Sequence, residues 1–248
     1  MLSASFAALA LAALIGISLG VLGSGGSIVT LPMLIYVALV PANQAVGMSL
    51  AIVGTTSLLG AVLQYRKGNL HRKAGMLFSI TGVMGAYLGS NATHLLSKQA
   101  LLLAFAAIML VVGGLMLKGW PPLKEARRCR VWPCLAVGFV VGLLTGFLGV
   151  GGGFLIVPAL VLAAGLDIKT AGGTSLAIIA MNSGSGLLGH LRFVRIDWAL
   201  LGQFLILSCG GMLIGLAIAG RVPEKNLHRV FAASLIILAV AIGWANVW

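Results

Sequence analysis

Residues 148–158 read LGVGGGFLIVP, and 126 positions earlier residues 22–32 read LGSGGSIVTLP. Glycine weakens a helix by roughly 1 kcal/mol relative to alanine. A run with glycine at 149, 151, 152 and 153, inside an apolar stretch, therefore reads as a break in a helix. The break occurs twice, each time with a proline six residues after the last matched glycine.

The register between the two stretches continues on both sides. Gly16, Gly20, Gly23, Gly25, Gly26 and Pro32 fall on Gly142, Gly146, Gly149, Gly151, Gly152 and Pro158. GMSLAI (47–52) falls on GTSLAI (173–178), Thr56 on Asn182, Ser57 on Ser183, Gly60 on Gly186, Gln64 on His190 and Arg66 on Arg192. Apolar helices alike only in composition would not keep glycines, a proline and polar residues in step. The chain reads as an internal duplication.

Composition sets the environment. Of 248 residues, 60% are hydrophobic and 8% charged, with a mean hydropathy of +1.12. Soluble domains carry about 25% charged residues, so this chain cannot cover a water-facing surface. Sixteen Lys+Arg against four acids give a net charge of +12. Those basic residues sit in short connectors, the pattern of membrane topology rather than of nucleic-acid binding. Cys129, Cys134 and Cys209 lack metal-type spacing. The apolar run 1–22 has no basic leader and reads as a retained first helix.

Apolar segments run over 4–22, 28–40, 44–64, 74–93 and 99–118, then over 133–149, 154–166, 170–190, 198–220 and 227–247. Most have the length that crosses a bilayer, about 17–25 residues. The segments 28–40 and 154–166 are short, and each follows a glycine loop. The expected architecture is an all-α polytopic membrane protein with a first repeat over 1–118, a basic cytoplasmic linker over 119–132 and a second repeat over 133–248. Lys118, Lys124, Arg127, Arg128 and Arg130 mark the linker region, with Trp120 and Trp132 near its edges.

An odd number of crossings per half would invert the second half. That arrangement gathers thirteen of the sixteen basic residues on one side, whereas re-entrant short segments would gather eleven. The positive-inside rule favours inverted repeats, with the broken short helices meeting near the midplane.

Broken helices at membrane depth persist where the freed backbone lines a cavity, and paired breaks in two halves point to a transport site. Glycines let a ligand approach backbone N–H groups, and helix N-termini favour anions. Gly23, Gly25, Gly26 and Ser27, with Gly149, Gly151, Gly152 and Gly153, are therefore candidates to bind a small anion. Close packing is the competing explanation, and it suits the Gly16/Gly20 and Gly142/Gly146 pairs better. Thr56, Ser57, Asn182 and Ser183 are further candidates, with Gln64, His190 and Arg192 towards the helix ends. Ser49, Thr55, Thr174, Ser175 and Ser185 are the other polar residues of these helices. Glu125, Asp167, Asp197 and Glu224 all lie in connectors, which argues against a carboxylate relay or a cation site within the membrane.

The doubled GxGG-x5-P motif, followed each time by GxSLA, resembles the TauE/SafE family, the sulfite exporter group also called TSUP and formerly DUF81. The resemblance spans nearly the whole chain. It implies a multi-pass transporter of the bacterial inner membrane that exports sulfite, sulfoacetate or another small organic anion through a site between the halves. Its partners would be that anion and the lipid bilayer, with no cofactor, no metal and no nucleic acid; a homodimer is compatible with the sequence. The alternatives are a carrier of cations or neutral metabolites, an assembly partner for another membrane complex, and an intramembrane enzyme. For the enzyme, Ser185 and His190 lack the positioned base and orienting group that catalysis needs.

Overall fold

The computed structural model describes residues 6–23, 30, 33–35, 37–92, several positions between 106 and 117, 131–148, 153–190 and 197–247. Its long elements are helices: α1 (Phe6–Leu22), α2 (Ala42–Arg66), α3 (Arg72–Ala92), α4 (Val131–Leu148), α5 (Gly153–Ala164), α6 (Ile168–His190), α7 (Trp198–Arg221) and α8 (Glu224–Val247). Their bounds follow the apolar segments closely, as composition requires. At 1.5 Å per residue, the 25 residues of α2 and the 24 of α7 reach about 36 Å, enough to cross a hydrocarbon core of about 30 Å. The 12 residues of α5, which continue through Pro158, reach only about 18 Å.

Glycines set how the helices pair. A Cβ built on Gly16 would strike the Ser208 carbonyl, and one on Gly20 would lie 2.8 Å from the Leu216 nitrogen. Numbers rise together on α1 and α7, so the two run parallel with their backbones in contact. Ser208 Oγ fastens the pair by donating to the Ala12 carbonyl at 3.1 Å. On α3 and α4, Gly142 meets the backbone of Gly82, and Gly85 meets Phe139 and Leu143. That pair is also parallel.

These contacts correspond across the two stretches of sequence. Gly16 meets Ser208, and Gly142 meets Gly82; Gly211 meets Ala13 and Ile17, and Gly85 meets Phe139 and Leu143. In each case both partners differ by 126 residues between the two contacts. The first helix of each half therefore packs against the fourth apolar segment of the other half.

The remaining long pair, α2 with α6, is related to itself by the same shift. Gly54 faces Ser183, Gly60 faces Leu176, and Gly173 faces Gln64 and Asn69. Numbers rise on one helix as they fall on the other, so α2 and α6 are antiparallel.

Sequential connections then fix the two ends of the bundle. The C-termini of α1, α2 and α7 meet the N-terminus of α6 around one cavity. Because α1 and α2 point the same way, the chain between Gly23 and Pro41 returns from one end of the bundle to the other, with Thr30, Met33 and Leu34 buried along it. Arg66, Lys67, Arg72, Lys73, Lys169, Arg221, Lys225 and Arg229 all belong to the end where α2 finishes. There the Arg72 guanidinium lies 4.7 Å from the Tyr65 ring centroid, tying the α2–α3 turn. Of the acids, Asp197 Oδ1 accepts from the Ala199 and Leu200 N–H groups at 3.0 and 3.1 Å, capping α7.

Candidate functional site

Several polar side chains of the described helices have a hydrogen-bond partner. Thr81 Oγ1 donates to the Leu77 carbonyl at 2.9 Å, Ser18 Oγ to the Ile15 carbonyl at 2.9 Å, and Ser208 crosses to α1. Thr174 Oγ1 accepts the His71 N–H at 2.9 Å, and Ser175 Oγ lies 2.8 Å from the Gly23 carbonyl and 2.7 Å from the Gly172 carbonyl. Thr174 and Ser175 thus hold helix ends together. Thr55 and Ser185 face outward.

Five buried polar atoms are different. Thr56 Oγ1, Ser57 Oγ, Ser79 Oγ, Asn182 Oδ1 and Ser183 Oγ have no hydrogen-bond partner among the described residues. Thr56 and Ser57 are 0% exposed, Ser79 and Ser183 1%. An unpaired buried hydroxyl costs roughly 1–3 kcal/mol, and lipid supplies no water to relieve it.

Their placement is as telling as their isolation. Thr56 and Ser57 each stand nine residues from one end of the apolar stretch Gly47–Arg66, about 14 Å along the axis. That is the mid-height of α2. Asn182 and Ser183 are their counterparts on antiparallel α6, so the four residues bracket the point where the helices exchange places. Gly54 opens the facing wall: its added Cβ would stand 3.1 Å from the Ser183 Cβ. From α3, the position of a Cβ on Gly82 lies 3.7 Å from the Asn182 amide nitrogen, one turn from Ser79.

This layer offers hydroxyl donors and an amide, none of them carrying a formal charge. Hydroxyls and amides donate hydrogen bonds to oxyanion oxygens without a buried cation, whose desolvation penalty would be large. Three helices from both halves contribute. A small solute seated here would touch both halves at once, the geometry an alternating-access site requires.

Other sequence candidates fall elsewhere. Gly23 does not offer its N–H to a ligand at mid-height; that N–H donates to the Leu19 carbonyl at 2.8 Å, and φ is +73°. It is the left-handed cap of α1, packed on Gly172 at the basic end of the bundle. α1 runs unbroken to Leu22 and Gly23 serves its C-terminus, while residues 24–29 of the first glycine break lie outside the described residues. Gln64 also lies at that end, its Oε1 accepting from Asn69 Nδ2 at 3.4 Å. Gly153 begins α5 and His190 ends α6. Gly25, Gly26, Ser27, Gly149, Gly151, Gly152 and Arg192 lie outside the described residues.

Ser79 escaped the sequence reading. Its counterpart 126 residues on is Leu205, so no pairing marks it, and a lone helical serine ordinarily bonds back to its own backbone.

Comparison with known proteins agrees with this architecture. Residues 8–242 match the family model described as sulfite exporter TauE/SafE. The chain belongs to the TauE/SafE family. A relative from Xylella fastidiosa strain 9a5c, called a probable membrane transporter protein, is 32% identical over 241 residues, covering 94% of this chain and 92% of its own. The probable membrane transporter protein YdhB of Bacillus subtilis is 27% identical over 220 residues, covering 86% and 90%. A TauE/SafE chain with this all-helical fold is a membrane transporter and not an enzyme.

Proposed function

We propose that this transporter exports small anions, with sulfite or a sulfur-containing organic anion such as sulfoacetate as its cargo, and that the anion rests at mid-membrane on the hydroxyl layer of α2, α3 and α6. The observation that carries this reading is the set of five unpartnered buried polar atoms on α2, α3 and α6 among the described residues. An oxyanion satisfies several hydroxyls at once and leaves no charge on the protein when it departs. The family description favours a sulfur oxyanion as the cargo.

On this reading the halves are inverted repeats of a multi-pass protein of the bacterial inner membrane. Antiparallel α2 and α6, and the gathering of basic residues at one end, support it; the positive-inside rule puts that end in the cytoplasm. The inside-negative potential then favours anion exit by about 2.3 kcal/mol per charge per 100 mV.

The test is sulfite and sulfoacetate flux in proteoliposomes under an imposed potential, comparing the wild type with Ser57→Ala/Ser183→Ala. Potential-dependent flux lost in a folded double variant supports the reading. Undiminished flux would remove the hydroxyl layer from the path.

A further inference from the structure

A second polar feature lies about seven residues further along α2, some 10 Å from Ser57. Here the ends of α1, α2 and α7 and the start of α6 enclose a cavity of about 60 Å3, whose walls include Gly20, Gly23, Gln64, Lys67, Asn69 and Lys169. That is space for several waters or one small oxyanion. Lys67 comes from the first half and Lys169 from the second; the positions 126 residues away hold Phe193 and Asn43, so the lysine pair belongs to this end only. No carboxylate is among the described residues that line the cavity. The nearby Asp167 carboxylate is engaged with its own helix, accepting the Thr170 N–H at 2.9 Å.

Between cavity and hydroxyl layer stands an apolar stopper. Leu176 lines the cavity floor, and both Leu176 and the Met212 side chain press on Gly60, where an added Cβ would meet Met212 Cε and would lie 3.0 Å from Leu176 Cδ1. Leu176 and Met212 are 0% exposed.

We infer that this cavity is an anion-collecting vestibule: Lys67 and Lys169 draw a small oxyanion to the basic end and hold it above the Gly60–Leu176–Met212 layer before it passes to the central hydroxyls. This rests on the anion-transport reading and adds to it a loading site and the residues that form it. Two lysines in the walls of one small cavity raise the local concentration of anions and repel cations. A flexible methionine is suited to a closure that moves aside.

The experiment reads local potential rather than transport. A cysteine placed at Gly220, which lines the cavity and has nothing within 4 Å of an added Cβ, is introduced after Cys129, Cys134 and Cys209 are replaced by alanine. Its reaction rates with anionic MTSES and cationic MTSET are compared in purified protein that elutes as a folded species. The vestibule requires MTSES to be preferred, with that preference falling about tenfold in Lys67→Gln/Lys169→Gln and kept in Lys67→Arg/Lys169→Arg. A preference unchanged by the glutamines overturns the vestibule. The Ser57→Ala/Ser183→Ala change should leave it intact. Loss of flux in that serine variant with the MTSES preference retained bears on the central site alone, and intact flux with no lysine effect defeats the vestibule alone.

Discussion

Gly54 on α2 faces Ser183 on α6 so closely that a Cβ added to the glycine would stand 3.1 Å from the serine's own Cβ. That separation is tighter than ordinary van der Waals contact, and the serine hydroxyl beside it is unpartnered. The glycine therefore sets the width of the polar layer. Gly54→Val should lose most anion flux, because two added methyls occupy the space beside Ser183. Overpacking of this kind costs roughly 1–3 kcal/mol, so thermal unfolding of the purified variant should show a moderate loss with the fold retained. Full flux in Gly54→Val would place the path elsewhere.

The orphaned hydroxyls and the bonded ones should respond to alanine in opposite ways. Ser57→Ala or Ser183→Ala removes an unsatisfied buried group, so stability should hold or rise by about 1 kcal/mol while flux falls. Ser208→Ala breaks its bond to the Ala12 carbonyl and should cost about 1 kcal/mol, with flux per folded molecule unchanged. Unfolding midpoints and flux measured on the same preparations separate the two classes. Equal destabilisation at Ser57 and Ser208 would mean that Ser57 has a structural partner.

These contrasts also mark how far the sequence could be read. Helix positions were legible because a lipid-facing chain must be apolar, and the segments 44–64 and 198–220 became Ala42–Arg66 and Trp198–Arg221. Thr56, Ser57, Asn182 and Ser183 were legible through their spacing of 126, which brings counterparts together on one antiparallel helix pair. Ser79 had no counterpart to betray it. The place of Gly23 was not legible, because a glycine that caps a helix and one that opens a binding loop look alike in sequence, and only φ and the bond to Leu19 distinguish them. Nor does any local signal say that α1 packs on α7; that follows from backbone faces meeting at Gly16, Gly20, Gly211 and Gly215.

That glycine seam gives a stability prediction. At Gly211 a Cβ would run into the Ala13 carbonyl, and at Gly16 into the Ser208 carbonyl, both backbone atoms that cannot yield without separating the helices. Gly211→Ala should cost about 1–3 kcal/mol, and Gly211→Leu more. Gly210→Ala, one residue away with nothing within 4 Å, should be close to neutral. Detergent stability of the three variants measures this directly, and a neutral Gly211→Leu would contradict the parallel α1–α7 contact.

The last prediction concerns sidedness. Lys73 lies just after the α2–α3 turn at the basic end, while Leu39 precedes α2 at the other end and is 72% exposed. With α2 spanning the membrane, the two positions lie on opposite faces, and on the proposed topology the face dense in Lys and Arg around residue 73 is the cytoplasmic one. In a cysteine-free background, Leu39→Cys should react with an impermeant maleimide on intact spheroplasts. Lys73→Cys should react only after the membrane is opened. The same experiment addresses the short segment before α2: because α1 and α2 are parallel, a cysteine at the α1 start, Phe6→Cys, must label from the same side as Leu39→Cys. Labelling of Phe6→Cys from the cytoplasm instead would mean that the chain between Gly23 and Pro41 turns back without crossing, and the inverted arrangement of the halves would fall with it.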